Sequence, residues 1–115
     1  MTKTLRGATL LIALALAGVA SAATGNVAAG KAKAQVCAAC HGADGNKTLD
    51  GSYPKLAGQY PDYLSKALHD YKSGKRTNAI MGGQAQALSD KDIANLAAYF
   101  GSLTGEIHDL SKHAR

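Results

Sequence analysis

The sequence contains two cysteines, Cys37 and Cys40, which are separated by two alanines and followed directly by His41. A Cys-x-x-Cys-His sequence is typical of c-type haem attachment, in which both sulfurs bond to the porphyrin edge and the histidine ligates the iron. The surrounding chain must enclose so large a cofactor, so this segment constrains the fold more than any other. It predicts one covalent haem c, held by Cys37, Cys40 and His41.

The cysteine pair has three competing interpretations. A disulfide is common in exported proteins, and a redox Cys-x-x-Cys motif of the thioredoxin kind lies near a βαβ pattern. A structural zinc site needs a second pair of Cys or His ligands. No alternating β-branched segment precedes Cys37, and no second Cys/His pair stands at ligand spacing. The sequence therefore favours haem over these alternatives.

The first 22 residues have the pattern of a secretory signal peptide. Lys3 and Arg6 precede a nearly continuous apolar run over residues 8–20, and Ala20-Ser21-Ala22 offers a small-x-small cleavage site. The alternative is a membrane anchor, but an apolar run of about 13 residues is shorter than the about 20 that a spanning helix needs. We therefore predict cleavage, export to the periplasm and no stable membrane insertion.

The remaining chain is divided into two parts by its composition. Residues 23–104 are predicted to form one haem-binding domain, and residues 105–115 a polar, mobile C-terminal tail. The formal net charge of +5 falls to +3, with 11 basic against 8 acidic residues, once Lys3 and Arg6 are removed. This modest surplus suits an acidic docking partner and lacks the basic stripe of a nucleic-acid binder.

The helical signals predict an all-α fold with three main helices. The first covers residues 27–36 and is capped by Asn26. The second begins at Pro61 and ends at Ser73-Gly74. The third begins after Ser89, whose hydroxyl is paired with Asp92 in a capping box. Its predicted buried face consists of Ile93, Leu96, Ala97, Phe100 and Leu103.

Two features of these helices bear on packing. Gly30 interrupts the first helix, and we expect it to permit the close approach of another helix. An apolar stripe on the second helix is interpreted as core or haem wall, and comprises Tyr60, Tyr63, Leu64, Ala67, Leu68 and Tyr71. With no Trp and one Phe, the core is thin, so the haem is expected to be needed for stable folding.

Met81 is the candidate for the sixth iron ligand. It is the one methionine after the signal peptide and lies in a predicted flexible loop, residues 78–83, between the second and third helices. The alternative is a gap-filling core methionine. His69 is expected to face solvent, and His108 and His113 lie in the polar tail, so these side chains compete poorly for the iron. His41 and Met81 together would leave no vacant coordination position.

Beyond the haem attachment sequence, several segments between about residues 25 and 103 match a known pattern. The chain resembles the small class I c-type cytochromes of bacteria, both single-haem members and the halves of two-haem periplasmic cytochromes. The resemblance is carried by Gly30-Lys31, residues 37–42, Asp44-Gly45, residues 53–60, residues 74–78, Met81, Leu88-Ser89-Asp90 and residues 97–100.

This resemblance implies a class I cytochrome c fold in which the first and last helices cross near Gly30 and Tyr99-Phe100. It implies that the Pro54 carbonyl accepts a hydrogen bond from His41, and that Leu56 lines the proximal side of the haem. It also implies that Arg76, with Asn78 or Gln59, bonds the haem propionates.

The function expected from these features is that of a periplasmic electron carrier, not an enzyme. Its iron would cycle between Fe(II) and Fe(III) while meeting redox partners such as an oxidase, a reductase or a dehydrogenase, as a monomer or in a weak complex. One alternative is a haem-bearing, electron-accepting subunit of a periplasmic dehydrogenase. The other is a haem sensor or an enzyme in which Met81 is displaced from the iron.

Overall fold

The computed structural model describes residues 24–107, and within this range the chain is helical, with no β-strand. The elements are α1 (Val27–Lys33), α2 (Ala38–His41), α3 (Pro61–Ser73), α4 (Ala79–Gln86) and α5 (Asp90–Ser102). The predicted all-α fold is confirmed. The predicted signal peptide, residues 1–22, and the tail from residue 108 lie outside the described residues. None of the helices between residues 24 and 107 has the length and apolar character needed to cross a membrane.

The first and last of these helices, α1 and α5, pack closely against each other. Gly30 is buried, and a Cβ atom at this position would lie closer than 3.0 Å to the Asn95 carbonyl oxygen and to Tyr99 Cβ. The buried Asn95 side chain accepts a hydrogen bond from the Asn26 backbone N–H at 2.7 Å. Gly30 therefore permits the close approach expected of it, at the crossing that the resemblance implies.

The hydrophobic core is small and centres on α5. Ile93, Leu96, Ala97 and Phe100 are buried as predicted, and Leu103 packs against them while partly exposed. Helix α5 also contributes Tyr99, and the remaining core side chains, from α3 and the connections between helices, are Ala34, Leu64 and Leu88. Only Ile93 is a large side chain with less than 2% of its surface exposed, so few described residues are fully removed from water.

Helix α3 has the predicted boundaries. Pro61 occupies its first turn, and Gly74 closes it in the left-handed conformation with φ of 78°. Its apolar stripe contributes only in part to the core: Leu64 is buried and Leu68 packs against the core cluster, whereas Tyr60 and Tyr63 are 56% and 49% exposed. The core interpretation therefore holds for the leucines and not for these two tyrosines.

The first helix is shorter than predicted. It ends at Lys33, and the chain then turns through a hydrogen bond of 2.9 Å from the Cys37 N–H to the Ala34 carbonyl. The prediction extended it to residue 36 because Ala, Gln and Val continue a helical pattern. This turn separates α1 from α2, so the cysteine segment forms its own short helix.

The predicted flexible loop over residues 78–83 is wrong, because Met81 lies in the first turn of helix α4. The Asn78 side chain accepts hydrogen bonds from the backbone N–H groups of Ile80 and Met81 at 3.0 and 2.9 Å. This N-cap satisfies donors that would otherwise be unpaired. It offsets part of the helix penalty of Gly82 and Gly83, about 1 kcal/mol each.

The capping box predicted at the start of α5 is confirmed. Ser89 Oγ accepts a hydrogen bond from the Asp92 N–H at 3.1 Å, and the Asp92 carboxylate accepts one from the Ser89 N–H at 2.9 Å. These bonds together hold the first turn of the helix that carries most of the core.

We expect Ser89→Ala to lower the free energy of unfolding by about 1 kcal/mol, because the Asp92 N–H loses its partner. Urea titration of the haem-loaded protein would measure the loss. Ser65→Ala is the matched control, since Ser65 lies inside α3 and makes no side-chain hydrogen bond among residues 24–107. Equal stability of the two variants would contradict the role of the cap.

Candidate haem-binding site

Helix α2 places both cysteines and the adjacent histidine within about one turn. The backbone N–H groups of Cys40 and His41 donate to the Cys37 carbonyl at 3.3 and 3.0 Å. Both cysteines are free and half-buried. The structure therefore presents two thiols and one imidazole on a compact helical turn, the donor set that covalent haem attachment requires.

His41 is buried, with 6% of its surface exposed, and its ring is fixed by one hydrogen bond. Its Nδ1 lies 2.7 Å from the Pro54 carbonyl oxygen, as the resemblance implies. Because a carbonyl can only accept, Nδ1 must carry the proton, which leaves Nε2 with a free lone pair. Nε2 makes no hydrogen bond within residues 24–107, so it can ligate iron.

Tyr53 is a neighbour of this imidazole whose role sequence reasoning missed. Its ring meets the His41 ring edge-on, with centroids 6.3 Å apart and an angle of 79° between the planes. The pKa of the Tyr53 hydroxyl is raised, mainly by charge interaction with Cys40 and to a smaller extent by a hydrogen bond to the same thiol. The sequence signal for this contact was that Tyr53 directly precedes Pro54, because both residues contact the His41 ring.

Burial raises the pKa of the Cys37 thiol. Catalytic cysteines of redox Cys-x-x-Cys motifs have lowered pKa values, because the thiolate is the reactive species. The environment of Cys37 therefore disfavours the thioredoxin-like alternative. It is compatible with a thiol that is consumed once, in forming a thioether.

The apolar surface near the attachment sequence fits a large flat cofactor. Val36 precedes Cys37 and is 58% exposed, and Leu49, whose backbone N–H donates to the Cys40 carbonyl, is 67% exposed. Side chains of this kind are costly to leave in water together. The residues present therefore fit a porphyrin, which would cover apolar surface.

Met81 is half-buried, and its backbone is held by the Asn78 cap. It lies on a different helix from His41, and no side-chain hydrogen bond of the described residues joins α4 to α2. Ligation of iron by the Met81 thioether therefore stays a prediction.

Of the other pocket candidates, Leu56 packs against the core cluster while partly exposed, and its N–H donates to the Gly45 carbonyl at 2.8 Å. Arg76 is exposed, stacks on the Tyr71 ring at 4.8 Å from its centroid and lies 3.4 Å from the Tyr63 hydroxyl. These contacts fix the Arg76 guanidinium against α3. They leave its predicted contact with a propionate as a proposal.

The side-chain oxygens of Gln59 and Asn78, the alternative propionate partners, accept backbone hydrogen bonds, so only their amide NH2 groups could donate to a propionate. The Gln59 side-chain oxygen accepts a hydrogen bond from the Tyr60 N–H at 2.9 Å, and the Asn78 oxygen caps α4. A cavity of about 490 Å³ between α3 and α4 is lined by Arg76 and Asn78 but by none of Cys37, Cys40 and His41. This cavity is therefore not by itself the haem site.

Taken together, the all-helical fold and the Cys-x-x-Cys-His turn with its oriented imidazole define a c-type haem-binding domain. The family profile described as "Cytochrome c" matches residues 27–104. The chain belongs to the cytochrome c family, and its cofactor is one covalently attached haem c.

Three known proteins show how far the similarity extends. Cytochrome c4 of Pseudomonas aeruginosa is 57% identical over 93 residues, which are 81% of this chain and 45% of that protein. The thiosulfate dehydrogenase electron acceptor of Thiomonas intermedia is 40% identical over 82 residues, which are 71% of this chain and 38% of that protein. The crystal structure of reduced cytochrome c4 from Pseudomonas stutzeri superposes with a TM-score of 0.67 at 42% identity, covering 72% of this chain and 48% of that one.

The chain therefore spans about half the length of the relatives it matches. The family and the fold are shared over the haem domain, whereas the activity and the partners of the longer proteins are not thereby assigned to this chain.

Proposed function

We propose that this protein is a periplasmic electron carrier with a His/Met-ligated haem, rather than an enzyme. The observation that supports it most is the buried His41, held through Nδ1 by Pro54 with Nε2 left free. An electron carrier needs axial ligands that hold their positions in both oxidation states, and a ring fixed in this way meets that requirement. The signal-like residues 1–22 support the location.

A bound haem supplies the one-electron chemistry by cycling between Fe(II) and Fe(III). The residues of the chain hold the haem and set its reduction potential. Cys37 and Cys40 would hold the porphyrin edge through two thioethers, and His41 would ligate the iron through Nε2. The Pro54 carbonyl increases the basicity of the imidazole by accepting its Nδ1 proton in a hydrogen bond. Met81 would supply a second ligand through its thioether, which would raise the reduction potential and leave no vacant position on the iron for a small molecule.

The remaining pocket residues act on the surroundings of the metal. Leu56, which packs against the core cluster while partly exposed, would line the proximal side of the haem. Arg76, held against Tyr71 and Tyr63, offers a fixed positive charge to a propionate. Burial and charge of this kind tune the potential of a haem.

The partners are redox proteins, and the surface of this chain that contacts them has a modest excess of lysine. The relative named as a thiosulfate dehydrogenase electron acceptor also favours a second candidate, an electron-accepting subunit of a periplasmic dehydrogenase. The surface suits neither nucleic acid nor membrane insertion. We infer a monomer or a weak complex.

The proposal is tested on the protein isolated from the periplasm. We expect the mass of one covalently added haem, a reversible spectral change on reduction and oxidation, and no effect of carbon monoxide on the reduced spectrum at neutral pH. Carbon monoxide binding would show that the iron has a vacant coordination position, and would support the sensor or enzyme alternative. A bare polypeptide mass would overturn the whole assignment.

Size-exclusion chromatography of the native periplasmic extract separates the two candidate functions. A free carrier should elute at the size of the isolated domain. Stable co-elution with a dehydrogenase would instead support the subunit.

A further inference from the structure

The residues after α5 return over the segment that carries Pro54. We call residues 104–107 the C-terminal strap and residues 45–58 the proximal segment. Asn46 Nδ2 donates to the Thr104 carbonyl at 3.0 Å, and Lys55 forms an ion pair with Glu106. The strap therefore contacts the proximal segment both before Pro54 in the sequence and directly after it. The tail predicted from residue 105 thus begins in contact with the domain.

Gly105 brings the strap closest to the proximal segment. A Cβ atom at Gly105 would lie closer than 3.0 Å to the carbonyl oxygen and carbon of Ala57, a residue that is fully buried. Gly105 does not have a positive φ, so its backbone conformation does not require glycine. The close approach to Ala57 does, because any side chain would push the strap away.

Few other hydrogen bonds hold this part of the proximal segment, although Leu56 also packs against the core cluster. No helix lies between His41 and Pro61, and Pro54 itself has no N–H to donate. The N–H groups of Leu56 and Ala57 donate to the Gly45 carbonyl at 2.8 and 3.1 Å, and that of Gly58 donates to Phe100 at 3.0 Å. The strap covers the same short stretch, so it adds a second support to the backbone that presents the Pro54 carbonyl.

We propose that the C-terminal strap positions the Pro54 carbonyl against His41 and thereby sets the reduction potential of the haem. Gly105 and Asn46 are its positioning residues. The inference rests on the proposed function, with His41 as the axial ligand. A well-placed carbonyl makes the imidazole a stronger donor, which favours Fe(III). Displacing the strap loosens this hydrogen bond, so the reduction potential rises.

The test is Gly105→Ala in the haem-loaded protein, measured by redox titration and thermal unfolding. We expect the Fe(II)/Fe(III) ratio at a fixed ambient potential to rise about threefold. The net contribution of one hydrogen bond changes an equilibrium constant by about two- to tenfold. Threefold corresponds to about 28 mV at 59 mV per tenfold. The melting temperature should fall as well.

Two further glycines provide matched controls. A Cβ at Gly25 would lie closer than 3.0 Å to the Ala94 carbonyl oxygen, a similar clash at the α1–α5 contact, whereas Gly51 has nothing within 4 Å. Gly25→Ala should lower the melting temperature while leaving the potential unchanged. Gly51→Ala, in the proximal segment itself, should change neither.

An unchanged potential in Gly105→Ala would overturn the proposal, whether or not the variant is less stable. If that variant fails to fold, Asn46→Ala removes the hydrogen bond to Thr104 and should raise the potential by a smaller amount; no shift there would overturn the proposal equally. The proposed function is tested by a different observation. It would be overturned if the unsubstituted protein showed no reversible Fe(II)/Fe(III) couple.

Discussion

Replacing Met81 by alanine is expected to open one coordination position of the iron and to lower its reduction potential. The thioether stabilises Fe(II) relative to Fe(III), so its loss should lower the potential by about 59 mV or more, a tenfold change in the Fe(III)/Fe(II) ratio. The reduced variant should bind one carbon monoxide per haem, whereas the unsubstituted protein binds none. Absorption spectra and redox titration would measure both effects.

Ile80→Ala is the control for this substitution. Ile80 is the preceding residue in the same first turn of α4, is 56% exposed and shares the Asn78 cap. In the Ile80→Ala variant the iron should bind no carbon monoxide, and its reduction potential should be nearly unchanged. If Met81→Ala left the spectrum and the potential unaltered, Met81 would not be the sixth ligand, and the sensor alternative would gain support.

Removing the covalent haem is expected to leave the chain largely unfolded or molten. The described residues include one large side chain that is fully buried, Ile93, while Val36 and Leu49 remain more than half exposed. Domains of this size have little stability to spare, about 5–15 kcal/mol at most. We expect the double substitution Cys37→Ala and Cys40→Ala to abolish the cooperative thermal transition and the near-ultraviolet circular dichroism.

The matched control for the haem-free chain is Ala39→Ser. Ala39 is exposed and lies between the cysteines, so the substitution changes the attachment sequence without removing a sulfur or His41. It should retain the haem and a sharp transition. A sharp transition in the double variant would instead mean that the polypeptide core suffices for folding.

Helices α3 and α5 could be predicted closely because local chemistry marks their ends. Pro61 and Gly74 bound the first, and the Ser89–Asp92 capping box opens the second. Each signal depends on residues adjacent in sequence, so no knowledge of the fold is needed. The same holds for the attachment sequence, whose donors lie within five positions.

The features that could not be predicted depend on distant contacts or on weak patterns. Helix α4 was missed because Gly82 and Gly83 suggest a loop, although Asn78 before Ala79 was a capping signal. The strap was missed because the proximity of Gly105 to Ala57 joins residues far apart in sequence. The half-exposure of Tyr60 likewise follows from packing and not from helical periodicity.

The pairing of α1 with α5 includes a hydrogen bond between Asn26 and Asn95, which lie 69 positions apart in the sequence. Because the two partners lie so far apart in sequence, α1 and α5 cannot pack until the whole domain has been made and exported. Until they pack, α5 cannot cover Cys37, which contacts the core cluster in the folded domain. The architecture thus provides an interval in which covalent chemistry at the thiols can precede closure of the domain.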